Sequence, residues 1–112
     1  MTLNITQHGM ELTPAIKQYV EEKMESLLKY FDSIRHMDVE VGIANGHSQK
    51  GDVYQCKVVV QVGGDVFRIE KDAEDLYKAI DKVKDHLRVE LTDWKQKLED
   101  RSKGKGQAEE NL

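Results

Sequence analysis

Basic side chains at helical spacing are the residues of this sequence best suited to a chemical role. Lys78, Lys82 and His86 recur every fourth residue, and side chains four residues apart share one face of a helix. With Ile80 at the centre of the buried face and about 100° of rotation per residue, Lys78 and Lys82 point away from the core. Arg88 falls nearer the core boundary, on a flank that also carries Lys84 and Lys95. Cations on an exposed helix face are suited to binding nucleic-acid phosphates.

The same stripe has a simpler interpretation as an ordinary charged helix. Acidic residues share its exposed surface and can pair with the cations at i, i+4 spacing. They are Glu74, Asp75, Asp81, Asp85, Glu90 and Asp93. Taken alone, the pattern favours this salt-bridged helix over a binding surface.

Lys23 gives a sharper indication in an earlier helical stretch. It falls inside the apolar arc formed by Ile16, Val20 and Leu27, so its stem must lie on the core while its ammonium emerges at a rim. If the two predicted helices lie side by side, that rim is near the groove between them. Lys17 lies at the border of the same arc. A purely structural lysine is the alternative.

Catalytic constellations are missing from the sequence. It has no glycine-rich phosphate loop, no Cys-x-x-Cys and no Ser-His-Asp arrangement that can be placed. His8, His36, His47 and His86 have no metal-ligand spacing. Cys56 lies on the apolar side of a predicted strand, which favours a small buried side chain over a reactive thiol. We therefore expect no enzyme activity, no metal, no cofactor and no small-molecule substrate.

Size and composition fit one soluble domain. The chain has 112 residues, 38% hydrophobic and 34% charged, with a single cysteine, which favours a reducing cytoplasm. No apolar run approaches the roughly 20 residues that span a bilayer, and the N-terminus does not resemble a signal peptide, so we expect no membrane contact. The formal net charge of −4 argues mildly against nucleic-acid binding, although clustering of the cations on one face matters more.

Two periodicities alternate along the chain. Residues with period two predict four strands, around 3–6, 37–43, 53–62 and 66–70. Thr13-Pro14 begins a helix that runs to about Phe31, and Asp72 is a candidate cap for a second helix. A polar loop follows Asn45-Gly46, and Gly63-Gly64-Asp65 predicts a tight hairpin.

The order β-α-β-β-β-α predicts an α+β, two-layer sandwich. Each strand has one apolar face and each helix one apolar stripe, so both helices should cover one face of a four-stranded sheet. The first strand should pair in parallel if its link through the first helix is a crossover. We expect a domain at residues 1–100 and a disordered polar tail at 101–112, where composition is polar and contains glycine.

Four segments carry a resemblance to a known family. They are Leu3-Asn4-Ile5-Thr6, Glu11-Leu12-Thr13-Pro14-Ala15-Ile16, Tyr30-Phe31-Asp32-Ser33-Ile34 and Asp75-Leu76-Tyr77-Lys78-Ala79-Ile80-Asp81. Over about residues 1–95 the chain resembles the bacterial ribosome hibernation-promoting factor family, also called the ribosome-associated inhibitor or sigma-54 modulation protein family. The resemblance implies a fold similar to double-stranded-RNA-binding domains. It also implies binding to the small ribosomal subunit and its rRNA in the mRNA and tRNA channel, which inhibits translation and protects idle ribosomes. Other hibernation factors are further candidate partners.

The resemblance also implies rRNA-binding residues. Lys17 and Lys23 match positions that are basic in the family, and Lys78, Lys82, His86 and Arg88 complete the predicted set. The family often has Lys-Leu-x-Arg-Gln-Leu where this chain has His86-Leu87-Arg88-Val89-Glu90-Leu91. His86 thus replaces a lysine and Val89 replaces an arginine, which weakens the basic surface.

Two other functions remain open. One is a general double-stranded-RNA-binding module that acts away from the ribosome. The other is a protein-interaction adaptor that uses a projecting end of the second helix, where Leu91, Trp94 and Leu98 would form an exposed apolar stripe.

Overall fold

The order of helices and strands agrees with the sequence pattern. A computed structural model describes residues 2–44 and 53–111, with the backbone alone for Ala44 and residues 102–111. The elements are β1 (Thr2–His8), α1 (Pro14–Tyr30), β2 (Ile34–Ala44), β3 (Val53–Val62), β4 (Asp65–Ala73) and α2 (Leu76–Asn111). The predicted polar loop from Asn45 to Asp52, which contains His47, lies outside the described residues.

The four strands form one mixed sheet in the order β1-β2-β3-β4. β1 pairs in parallel with β2, as the crossover through α1 requires, and β2, β3 and β4 form an antiparallel meander. The predicted hairpin between β3 and β4 is confirmed, with Gly63 at the positive φ of 58° that a tight turn favours.

One face of this sheet carries the core. Alternation places Val39 of β2 between Ile5 of β1 and Val58 of β3, and Val58 lies opposite Ile69 of β4. The helices bury their apolar stripes in the same cluster, through Ile16, Val20, Met24 and Leu27 of α1 and Ile80, Val83, Leu87 and Leu91 of α2. The α+β architecture with both helices on one sheet face is therefore confirmed.

The first helix starts as predicted. Thr13 Oγ1 accepts a hydrogen bond from the backbone N–H of Ile16 at 3.2 Å, and Pro14 occupies the first turn, where its missing N–H leaves no donor unpaired.

The predicted cap of the second helix was wrong. Asp72 belongs to β4, where it lies opposite Gln55 of β3, so strand pairing keeps its backbone extended. The cap is Asp75, whose carboxylate accepts from the backbone N–H of Tyr77 at 2.9 Å. Its carbonyl oxygen accepts from Ala79 at 3.1 Å.

Helix α2 has 36 residues, which corresponds to a length of about 54 Å. The backbone is helical through Asn111, where the sequence predicted a disordered tail from residue 101. Lysine, glutamine, alanine and glutamate favour helix in this segment, and no proline interrupts it. The division into a domain at 1–100 and a tail at 101–112 stays a prediction. Within the described residues, no helix is both long and apolar enough to cross a membrane.

The second face of the sheet, which we call the open sheet face, is polar. No described helix packs on it, and its side chains are exposed or half-buried, as the sequence predicted. They include Asn4, Asp38, Glu40, Gln55, Lys57, Gln61, Arg68, Glu70 and Asp72. Gly42 lies on this face beneath His8, and a Cβ at Gly42 would come within 2.5 Å of the His8 carbonyl oxygen. This close approach explains why β2 has a glycine there.

Candidate nucleic-acid interface

The two helices lie side by side and enclose a groove lined by aromatic and charged side chains. We call this the helix groove. Helix α1 contributes Tyr19, Lys23, Ser26 and Tyr30, and helix α2 contributes Tyr77, Asp81, Lys84, Arg88 and Lys95.

One end of the helix groove is fastened by a hydrogen-bonded cluster. The Tyr19 hydroxyl donates to Asp81 Oδ1 at 2.6 Å, and the ring of Tyr19 meets that of Tyr77 edge-on with centroids 4.8 Å apart. The Lys23 ammonium lies 3.7 Å from Asp81 Oδ1 and 5.2 Å from the centroid of the Tyr19 ring. Lys23 therefore emerges between the helices, at the place that its position in the apolar arc predicted.

The Asp81 carboxylate also favours the protonated form of the Tyr19 hydroxyl. Its hydrogen bond, followed by burial and by the charges of Asp81 and Asp75, raises the pKa of Tyr19 from 10.0 to about 12. Ionisation of Tyr19 would replace this hydrogen bond with repulsion between two anions. The cluster therefore links α1 to α2 most firmly while Tyr19 is neutral.

The other end of the helix groove is basic. Lys84 and Arg88 of α2 line a cavity together with Ser26 and Tyr30 of α1. The Lys95 ammonium lies 5.8 Å from the centroid of the Tyr30 ring, within the range of a cation–π contact. This end combines cations with an exposed aromatic ring, which is the composition of many surfaces that bind single-stranded nucleic acid.

The six predicted rRNA-binding residues do not form one cluster. Lys23 and Arg88 both lie in the helix groove. Lys17 is exposed in the first turn of α1 and lies about 120° around the helix from Lys23, on the flank away from α2.

The remaining three lie on α2 outside the helix groove. Lys78 is exposed and pairs with Glu74 at 3.1 Å, as the charged-helix interpretation expected. Lys82 is exposed and donates to the carbonyl oxygen of Asp72 at 3.2 Å. His86 lies 3.3 Å from Glu90. It falls about 160° around the helix from Arg88, on the flank that faces away from the helix groove.

The aromatic part of this surface was not predicted from the sequence. Tyr19, Tyr30 and Tyr77 were not chosen as site residues, yet all three have ring contacts in the helix groove. Lys84 and Lys95 were placed on the flank of Arg88 but not chosen as site residues. Their shared flank, at about 40° and 60° from Ile80 on the helical wheel, was a usable signal.

Cys56 lies in the core, and the described histidines belong to no group that could hold a metal ion. Cys56 is fully buried in the core, and burial raises the pKa of its thiol to about 12. The thiolate is thus strongly disfavoured, in agreement with the predicted buried side chain. Among the described residues, no three His, Cys, Asp or Glu side chains are grouped so that they could hold a metal ion.

The apolar stripe predicted at the end of α2 is mostly covered, so that prediction was wrong. Leu91 is fully buried, and Trp94 is half-buried against the core. The Trp94 indole N–H donates to Asp65 at 2.7 Å, and its ring lies 3.0 Å from the position that a Cβ of Gly63 would occupy. The β3–β4 hairpin therefore reaches beneath this part of α2. Leu98, at 46% exposure, remains accessible.

Comparisons with known proteins agree on one family. The model of the sigma 54 modulation protein / S30EA ribosomal protein family matches residues 3–99. A ribosome hibernation promoting factor of Klebsiella oxytoca is 33% identical over 98 residues, which cover 88% of this chain and 97% of that protein. A ribosome hibernation promotion factor of Picosynechococcus is also 33% identical over 98 residues. These cover 87% of this chain, but only half of that longer relative.

Solved structures show the same fold. The N-terminal domain of Protein Y from Thermus thermophilus aligns with a TM-score of 0.71 and 27% identity, covering 84% of this chain and 99% of that domain. A ribosomal subunit interface protein from Coxiella burnetii aligns with a TM-score of 0.75 and covers 86% of this chain and 99% of that one. At 20% identity it supports the fold alone. With the match over residues 3–99, these relatives show that the chain belongs to the sigma 54 modulation protein / S30EA ribosomal protein family.

Proposed function

We propose that this protein is a cytoplasmic ribosome hibernation factor. It binds the small ribosomal subunit and its rRNA in the channel for mRNA and tRNA, and thereby inhibits translation and protects idle ribosomes. The protein makes and breaks no bond in this role and needs no cofactor. Relatives named as ribosome hibernation promoting factors, matched over nearly their whole length, carry the proposal.

The surface chemistry supports an RNA partner. Lys23, Lys84, Arg88 and Lys95 lie along the helix groove, while Lys78 and Lys82 are exposed on the adjoining outer face of α2. Lysine and arginine bind phosphates and release the counterions that surround them, so affinity should fall steeply as salt rises. Occupancy of the channel by a folded domain is enough to exclude mRNA and tRNA.

Co-sedimentation with purified small ribosomal subunits across a salt series tests this function. We expect stoichiometric binding at low salt, lost as salt rises, and competition by mRNA with initiator tRNA. An absence of binding at every salt concentration would exclude the proposal. Equal affinity for an arbitrary RNA duplex would favour a general double-stranded-RNA-binding module.

A charge reversal locates the contact on α2. Lys82→Glu removes a cation whose only described polar contact is the carbonyl oxygen of Asp72, so the fold should be retained. We expect at least tenfold weaker binding to small subunits, together with a smaller salt dependence. The matched variant Lys71→Glu, on edge strand β4, should bind as the unmodified protein does. Normal binding by Lys82→Glu would remove the outer face of α2 from the interface.

A further inference from the structure

A small cavity at the basic end of the helix groove has walls of three chemical kinds. Its volume is about 210 Å³, and it is lined by Ser26, Leu27, Tyr30, Phe31, Lys84 and Arg88. Leu27 and Phe31 are buried and form an apolar floor. Lys84 and Arg88 supply positive charge at the rim, and the Ser26 hydroxyl adds a polar group. Since this hydroxyl already donates to the Lys23 carbonyl at 2.7 Å, its oxygen is left as an acceptor.

Tyr30 forms an aromatic wall of this cavity and is largely exposed. Its exposure is 67%, although the neighbouring Phe31 is 4% exposed and fixed in the core. The two ring centroids lie 5.3 Å apart at an angle of 56°, so the buried Phe31 ring packs against Tyr30 in a tilted arrangement. Lys95 places its ammonium 5.8 Å from the Tyr30 centroid. Tyr30 is thus an exposed ring packed against a core residue, with Lys95 near its face and Lys84 and Arg88 in the same cavity, as in platforms for base stacking.

Charge distinguishes this cavity from the larger hollows on the same helix. The hollow beside Trp94 is lined by Asp65, Glu90 and Asp93 as well as by Lys97 and Arg101. The hollow on the outer face of α2 is lined by Asp85 and Asp93 together with Arg88. Within the described part of the chain, no carboxylate lines the cavity at Tyr30. A phosphate is therefore favoured at Tyr30, whereas carboxylates outnumber cations in the other two hollows.

We propose that this cavity binds one unstacked nucleotide of RNA. The base stacks on Tyr30 above the floor formed by Leu27 and Phe31, and the phosphate lies between Lys84 and Arg88. A nucleotide needs a flat apolar surface for its base and cations for its phosphate, and the lining of this cavity includes both. The identity of the RNA as rRNA of the small subunit rests on the proposed function, but the chemistry of the cavity does not.

Substitutions of Tyr30 separate stacking from charge. Stacking on one aromatic ring contributes enough that Tyr30→Leu should weaken small-subunit binding about fivefold to a hundredfold, with an unchanged salt dependence. Tyr30→Phe keeps the ring and should bind within about twofold of the unmodified protein. Arg88→Gln should weaken binding and also lower the salt slope by about one. Because Tyr30 is exposed, thermal unfolding should show that both Tyr30 variants fold. Unchanged binding by Tyr30→Leu, or a loss shared equally by Tyr30→Phe, would overturn the proposal.

A short probe tests the cavity without ribosomes. A single-stranded RNA pentanucleotide with a central 2-aminopurine loses fluorescence when that base stacks on an aromatic ring. We expect quenching at low salt with the unmodified protein and with Tyr30→Phe, but none with Tyr30→Leu. If small subunits fail to bind while this pattern holds, the ribosomal function falls and the nucleotide site stands. No quenching by the unmodified protein, or equal quenching by Tyr30→Leu, overturns the site.

Discussion

The helix groove and the open sheet face lie on opposite sides of one core and differ in charge. The helix groove holds Lys23, Lys84, Arg88 and Lys95 around three tyrosines, with Asp81 as a carboxylate at its fastened end. The open sheet face carries four carboxylates and two cations, Asp38, Glu40, Glu70 and Asp72 with Lys57 and Arg68. A chain with a net charge of −4 and 17 lysine and arginine residues thus places four of these cations in one groove.

The carboxylates near the lysine and arginine side chains also differ between the two regions. On the open sheet face, Gln55 donates to Glu70 at 2.8 Å and His36 lies 2.9 Å from Asp38. In the described part of the chain, neither Lys84 and Arg88 nor Lys57 and Arg68 form an ion pair. Lys57, however, lies opposite two carboxylates in the sheet register, whereas no described carboxylate lines the cavity at Lys84 and Arg88. Cations that lack an internal partner can bind a phosphate without first breaking a contact. Net charge is therefore a poor guide to the partner of this protein, because the placement of the unpaired cations decides it.

The strongest test of this comparison neutralises two cations in each region. Lys84→Gln with Arg88→Gln removes the pair at the rim of the groove cavity, and we expect about a hundredfold weaker small-subunit binding, with a salt slope lower by about two. Lys57→Gln with Arg68→Gln makes the same change in net charge on the open sheet face. This control should bind within about threefold of the unmodified protein. Co-sedimentation at several salt concentrations measures both slopes.

Equal losses of binding in the two double variants would mean that the helix groove and the open sheet face contribute alike. Binding would then depend on overall charge, and the helix groove would have no special role. Circular dichroism and thermal unfolding must first show that both variants fold, since Lys57 lies between Glu40 and Glu70 in the sheet register, and the loss of its charge leaves those carboxylates less well compensated.

Local pattern explains why the fold could be predicted. Alternation along β2 and the apolar stripes of α1 and α2 depend on neighbours in sequence, and the Thr13-Pro14 start is a local signal. Errors arose where distant pairing decides the structure. Asp72 is extended because it pairs with Gln55, and Trp94 is covered because the β3–β4 hairpin lies beneath it.

The candidate site shows the same limit. Lys23 could be placed near a groove because its position in the apolar arc is a local property. The contacts of Tyr19 with Asp81 and of Lys95 with Tyr30 join residues far apart in sequence. They depend on how the two helices lie against each other, which no periodicity specifies. The sequence therefore indicated which side chains are basic but not which of them lie together.

A positive charge added on the outer face of α2 tests how far the interface extends. Val89, at the position where the resemblance implies an arginine, is 59% exposed and lines the outer hollow with Asp85, Arg88 and Asp93. Val89→Arg should strengthen small-subunit binding by up to about tenfold and raise the salt slope by about one, if the arginine contacts a phosphate. The two carboxylates one turn away on either side will reduce this gain.

The matched variant for this position is Val89→Gln, which adds length and polarity without charge. It should bind as the unmodified protein does. If Val89→Arg leaves both the affinity and the salt slope unchanged, the interface ends at the rim of the helix groove and does not reach the outer face of α2 at this turn.

The smallest expected effect concerns the link that holds the helix groove in shape. The pKa of Tyr19 is about 12 in the folded protein, against 10.0 for an unperturbed tyrosine. Between these values the folded state holds a proton that the unfolded state has lost, so stability must decrease as pH rises. The contribution of Tyr19 to the free energy of unfolding is complete below pH 10 and is lost as the pH approaches 12. Near neutral pH, Tyr19→Phe should lower the free energy of unfolding by about 1 kcal/mol.

Urea denaturation at several pH values from 7 to 11 measures this contribution as the difference between the unmodified protein and Tyr19→Phe. The other tyrosines are present in both proteins, so their titration cancels. The difference should shrink above pH 10 in the protein with Asp81, whereas in an Asp81→Asn background it should change less with pH, because the neutral amide does not repel a tyrosinate. A difference near zero at every pH would mean that Tyr19 supports the groove through ring packing on Tyr77, which phenylalanine keeps, and not through its hydroxyl. In that case, alkaline pH should weaken the helix groove no more than it weakens the open sheet face, whose strands are joined by backbone hydrogen bonds.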